Sequence, residues 1–130
     1  MNGARWVQHS LLDAHPEAGL RVYAVWFSMY PTDTRDRWPN DVLTDGRVVH
    51  WWDEGKVVGR WYARHLRLQT DRSPGSIGTI LWDAYLVYGP EARWTDVPTG
   101  LRRWGRTILQ TRDRLRETVG ALVNVEAGGR

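Results

Sequence analysis

The sequence predicts an α/β fold, and three observations carry that prediction. Segments of helical and strand periodicity alternate along the chain. Two runs, at residues 20–28 and 80–88, hold branched and aromatic residues on both alternating faces. The chain has 130 residues, the size of one ordinary domain with its own core. A strand apolar on both sides is expected to be covered on both sides, as in the middle of a largely parallel sheet.

The elements follow in order. "RWVQHSLLDAH" (5–15) sets Trp6, Val7, Leu11 and Ala14 on one helical face, and Pro16 ends the pattern by restricting the residue before it and removing a donor. "LRVYAVWFS" (20–28) reads as a strand broken at residues 31–33. "TRDRWPNDVL" (34–43) reads as a short helix or irregular turn limited by Pro39. After the tight turn "TDG", "RVVHWW" (47–52) is a second short strand. Asp53 is placed to cap the helix that follows, where Val57, Val58, Trp61, Tyr62 and Leu66 recur at helical spacing. Residues 67–79, rich in Gly, Ser and Pro, read as a loop. "ILWDAYLVY" (80–88) is a third strand; "GPE" turns it, and "ARW" (92–94) is expected to pair back as a short antiparallel strand. From Leu101 onward, Leu101, Trp104, Ile108, Leu115, Val119 and Leu122 mark a long amphipathic helix with an Arg-rich outer face. Residues 125–130 read as a flexible tail behind a single domain of residues 1–124.

Composition narrows the function classes. An apolar fraction of 42% with 25% charged residues is globular. No stretch approaches the roughly 18–20 apolar residues of a membrane span, and "MNGARWVQHS" lacks the apolar core of a signal peptide, so as written the chain is expected in the cytoplasm without a membrane partner. The absence of cysteine excludes disulfides, thiol chemistry and thiolate metal sites from this chain, and no cofactor is expected. Net charge is +3, from seventeen arginines and the single Lys56 against fifteen acids. No block of five or six like charges occurs, which reads as a salt-bridged surface. Nine tryptophans could stack on bases, but Trp6, Trp26, Trp61, Trp82 and Trp104 align with expected core positions, so nucleic acid is not the expected partner.

Three pieces, "LRVYAVWFSMYPTDTRDRW", "RVVHWWDEGKVVGRWYAR" and "LWDAYLVYGPEARW", resemble thioredoxin-fold proteins of the bacterial TlpA type. The middle piece is similar to a family strand ending in Asp and followed by a helix. The last is similar to the hairpin that precedes the final helix. The resemblance implies a thioredoxin-like, mixed four-stranded sheet flanked by helices. Two registers fit. In one, residues 29–33 stand where the family carries its Cys-x-x-Cys turn. In the other, which we favour, residues 22–27 are the strand after that turn, and the central redox strand would precede Met1. Either way the chain has no sulfur for the family's reaction. The family's cis-proline would fall near Trp82 and Asp83, and this sequence has none there.

The resemblance therefore implies a redox-inactive binding or assembly module, or a shortened relative of a thiol-disulfide oxidoreductase. If the central strand is missing, residues 22–27 and 81–88 must pair directly or be covered by another chain, so a homodimer through an exposed sheet edge is expected. A rival reading is a small-ligand site. Asp83 is the one charge inside an apolar run, and a buried carboxylate must be paired or shift its pKa. Tyr30, Asp33 and Arg35 follow the end of a strand, where ligands bind in open α/β sheets, and Trp82 would supply an aromatic wall. Plain turn chemistry is the favoured explanation of these residues, with Pro31 fixing φ and Asp33 or Thr32 capping the next helix. His50 and Asp53, three apart on a strand, face opposite ways and do not suggest a metal site, while His9, His15 and His65 gain no obvious carboxylate.

Overall fold

A computed structural model describes residues 2–28, 31–35, 42–69 and 79–128. Among the described residues it is a mixed α/β structure with three α-helices: α1 (Asn2–Val7), α2 (Val57–Gln69) and α3 (Arg112–Gly128). Its strands are β1 (Val22–Trp26), β2 (Val48–Trp52), β3 (Ala84–Tyr88) and β4 (Leu101–Arg106). Among the described residues the strands form two sheets of two, β1–β2 and β3–β4, where the sequence predicted one sheet of four. The chain divides accordingly into two compact units, Met1–Leu20 with Asp83–Arg130, and Arg21–Trp82.

In the first unit, α1 continues through a π-helical turn, Gln8–Leu12, whose last peptide is closed by the Asp13 N–H donating to the Gln8 carbonyl at 2.9 Å. The buried centre is Leu11, Tyr85, Leu115 and Val119, with Trp6, Val7, Leu20, Val87, Ile108 and Val123 packed around it. Leu115 and Val119 lie four apart on α3, which rests on β3, β4 and the π-turn. Gly3 lets α1 approach closely: a Cβ there would lie 2.9 Å from Ile108 Cβ.

β4 is the main departure from the sequence reading. Residues 101–106 form a strand, not the start of the last helix, and Trp94 in the expected partner segment makes only an isolated bridge to Pro98. The physical reason is the antiparallel ladder, in which Leu86 lies opposite Trp104 and Tyr85 opposite Gly105. Gly100, at φ +79°, supplies the left-handed residue that admits the strand. Gly105 then accommodates the Tyr85 ring, whose Cε1 would lie 2.8 Å from an added Cβ. Helix α3 starts at Arg112, after the Thr107 carbonyl has accepted bonds from the Thr111 amide and hydroxyl.

In the second unit, β1 and β2 run parallel and in register, Val22 opposite Val48 through Trp26 opposite Trp52. Both alternate between half-buried and exposed positions, so β1 is not covered on both faces as the sequence suggested. In α2 the buried residues are Gly59, Ala63 and Leu66, while Val57 and Val58 are exposed. The apolar spacing thus marked the wrong side of the helix start. Gly59 explains the shift: Ile80 and Leu81 run against it, the Leu81 N–H donates to the Gly59 carbonyl at 2.9 Å, and a Cβ would meet Ile80 Cγ2 at 2.9 Å.

Candidate functional site

The residues proposed for a small-ligand site belong to two different units. Asp33, half-buried, and Arg35, exposed, belong with Trp82 to the second unit, whereas Asp83 opens the first. Tyr30 lies outside the described residues. Trp82 is 43% exposed rather than a core residue, and Asp83 is exposed as well, so the burial that made this carboxylate unusual is not found. What singles out Asp83 is its backbone: φ is +47°, a left-handed conformation that Asp tolerates better than most residues. Its carbonyl accepts from the Ile108 N–H at 3.1 Å, which pins the start of β3.

The carboxyl ends of β1 and β2 are consumed by structure. The Asp53 N–H donates to the Trp26 carbonyl at 2.7 Å. The Asp53 carboxylate caps α2 with both oxygens, accepting from the Val57 N–H at 2.9 Å and the Val58 N–H at 2.8 Å. His50 is equally committed. The Trp26 indole N–H donates to its Nδ1 at 3.0 Å, and its Nε2–H donates to the Leu43 carbonyl at 3.0 Å. Because indole can only donate and a carbonyl only accept, these partners select the Nε2–H tautomer of the neutral ring. The two rings lie side by side and nearly coplanar, with planes 18° apart and centroids 6.1 Å apart. This Trp26–His50–Leu43 chain joins both strands to the segment before β2. Sequence reasoning missed it because only the strand pairing brings Trp26 and His50 together.

Other chemistry-bearing groups are engaged locally. His9 does find a carboxylate, with its Nδ1 3.1 Å from Asp13 Oδ2. Among the described residues no three His, Asp or Glu side chains gather as a metal site. Several arginines are held by partners: Arg102 by Glu91, Arg47 by Asp45, Arg103 by the Thr118 hydroxyl, and Arg116 over the Trp6 ring at 5.4 Å. The Arg47 side chain bonded to Asp45 holds that carboxyl down to about 2. Glu91 is also lowered, first by a backbone bond within its own residue and then by Arg102.

The feature with most to offer a partner is the outer face of β1–β2. Tyr23 (60% exposed), Val25, Val49 and Trp51 (59% exposed) all point to it. Tyr23 lies opposite Val49 and Val25 opposite Trp51, so the two aromatics sit on a diagonal with a valine beside each. Isolated exposed apolar residues are ordinary, but four contiguous ones across two strands form a patch, and such patches mark interaction surfaces. Its sequence signal was there in the alternation of "VYAVW" and "VVHWW". Both parities are apolar, however, and the pattern cannot say which side stays open. Compared with known proteins, the chain matches no family model, no curated protein and no solved structure.

Proposed function

We propose that this chain is a redox-inactive, thioredoxin-like module that acts by binding a protein partner through the outer face of β1–β2. The observation that carries the reading is the apolar face itself, two aromatic and two branched side chains held open on a two-stranded scaffold. A parallel pair followed by a helix, then an antiparallel pair followed by a helix, is the element order expected of a thioredoxin-like chain and supports the kinship. The lack of cysteine supports binding over thiol exchange.

The test uses 8-anilinonaphthalene-1-sulfonate as an apolar probe of the native chain. Its emission is expected to rise on mixing and to fall in a Tyr23→Ser/Trp51→Ser variant that keeps the wild-type melting temperature. A native chain that leaves the probe dark sinks the binding surface. In an insulin-reduction assay the chain is expected to be blank, and measurable turnover overturns the redox-inactive assignment.

A further inference from the structure

We propose that His50 is an acid-sensitive latch, in which a proton taken up at Nδ1 releases the Trp26 indole from β2 while the bond to Leu43 holds. The latch stands apart from the outer face of β1–β2, because Trp26 and His50 lie on the half-buried side of the pair.

The two ring nitrogens are held by partners of opposite kind. Nδ1 lies 3.0 Å from Trp26 Nε1, and an indole nitrogen only donates. Nε2 lies 3.0 Å from the Leu43 carbonyl oxygen, which only accepts. The neutral ring satisfies both. An imidazolium carries a hydrogen on each nitrogen, so two donors would face one another across the 3.0 Å between Nδ1 and the indole. At Nε2 the direction of the bond is unchanged, and a charged donor bonds a carbonyl more strongly than a neutral one. One proton therefore breaks the contact to β1 and tightens the contact to Leu43. It passes from solvent to the Nδ1 lone pair, a new N–H bond forms, and the indole N–H is left to turn to water.

The charged groups on the elements around His50 are committed elsewhere. β1 carries no charged side chain. Asp45 and Arg47, before β2, are paired with each other. Asp53 spends both carboxylate oxygens on the Val57 and Val58 amides. Glu54 has the parity of His50 but is exposed beyond the strand end, four residues on, or about 13 Å along an extended chain. A proton on His50 thus gains no carboxylate in exchange for the lost indole bond. The strands themselves stay paired, since the ladder from Val22 opposite Val48 to Trp26 opposite Trp52 does not use the imidazole. What acid frees is the Trp26 ring at the end of β1, beside the Asp53 N–H that bonds the Trp26 carbonyl at 2.7 Å.

Long-range proton–nitrogen-15 correlation spectra of the full chain, from about pH 8 to about pH 5, test this over the range in which imidazoles take up a proton. At the alkaline end His50 is expected to show a bare Nδ1 and a protonated Nε2. On acidification the Trp26 indole N–H signal, assigned by its absence in Trp26→Phe, is expected to move toward the position of a solvent-exposed indole. It should do so in one reversible step that shares its midpoint with the His50 nitrogens. An Asn side-chain oxygen stands roughly where Nδ1 does and takes up no proton. His50→Asn is therefore expected to keep the indole bond and to hold the Trp26 signal fixed across the range. That variant retains His9, His15 and His65, so a Trp26 signal that still moves in it belongs to another group and overturns the latch. A protonated Nδ1 at the alkaline end overturns it too. So do His50 nitrogens that keep their alkaline positions to the acid end, or a Trp26 signal that stays put while His50 titrates. The wild-type titration decides by itself if His50→Asn does not fold.

Discussion

Two strands of this protein have nearly the same sequence and opposite fates. β1 reads Val22-Tyr23-Ala24-Val25-Trp26 and β3 reads Ala84-Tyr85-Leu86-Val87-Tyr88, each with tyrosine second, valine fourth and an aromatic fifth. Tyr23 is 60% exposed, whereas Tyr85 is 9% exposed and sits in the central cluster. The strands themselves do not make this difference. In the first unit α3 and the π-turn bring Leu115, Val119 and Leu11 onto Tyr85. In the second unit no such layer covers Tyr23 among the described residues. A strand pattern states which side chains can be buried, and packing from elsewhere decides which are.

The sharpest way to break the comparison is to remove both rings. Tyr85→Ala is expected to cost about 3–5 kcal/mol, since it deletes a large buried side chain and the site can collapse only partly. Tyr23→Ala should stay within about 0.5 kcal/mol in the monomer. Urea unfolding of dilute protein measures both, and equal losses would mean that Tyr23 is covered. Tyr85→Phe sharpens the point. The Tyr85 hydroxyl is buried and has no hydrogen-bond partner among the described residues, so removing it is expected to leave stability unchanged or raise it by about 1 kcal/mol.

The next effect belongs to the same unit. An alanine at Gly105 would place its Cβ 2.8 Å from Tyr85 Cε1 and 2.9 Å from Thr111 Oγ1. The ring and the start of α3 must both yield, and Gly105→Ala should cost about 1–3 kcal/mol. The double variant Gly105→Ala/Tyr85→Ala should cost less than the sum of the two single changes, because the clash disappears with the ring. Additive losses in thermal unfolding would argue that the strain lies elsewhere.

In the second unit the larger local effect is at Asp53. Asp53→Ala removes two bonds to the first amides of α2 and is expected to cost about 0.5–2 kcal/mol. Asp53→Asn should recover part of it. Hydrogen exchange at Val57 and Val58 is the direct readout, and unchanged protection there would remove Asp53 from the cap.

How much of this was legible in the residues depends on distance along the chain. The Asp53 cap was readable, because an acid and the amides four and five residues later meet through local geometry alone. The strands at 22–26 and 48–52 were readable for the same reason, whereas the helix read over 5–15 is found as an α-helix at Asn2–Val7 and a π-helical turn at Gln8–Leu12. The buried side of α2 was not, since it depends on Ile80 and Leu81 lying against Gly59 from some twenty residues away. Nor was β4. Leu101, Trp104 and Ile108 fit helical spacing, but Trp104 gains more from facing Leu86 across a ladder. The tryptophans mislead in the same way. They suggested a core, yet the buried apolar residues among those described are Leu, Val, Ala and one Tyr, with Trp half-buried or exposed. Of the proposed ligand residues, Asp83 stood out for its charge, and the reason for an Asp at that position is a positive φ that no composition reveals.

The smallest effect is a pH dependence carried by Asp45 in the second unit. Asp45 accepts from the Arg47 backbone N–H at 2.9 Å and from its guanidinium at 2.9 and 2.8 Å, which lowers its carboxyl from 3.8 to about 2. A carboxylate whose pKa is lower in the folded state contributes stability above its unfolded value, and loses that contribution as the pH falls through the folded one. The Asp45 contribution is therefore whole above about pH 4 and gone near pH 2. Asp45→Asn removes the titration. The urea midpoint of the wild-type chain should exceed that of the variant at pH 5, by a small margin that added salt reduces, because the pair meets solvent. The two midpoints should converge between pH 4 and pH 2. The same change is expected to shift the pH response of a Tyr85→Phe background by the same amount, since that substitution lies in the other unit. A wild-type margin that persists unchanged at pH 2 would show that the turn at residues 45–47 is held by its backbone bonds and not by the ion pair.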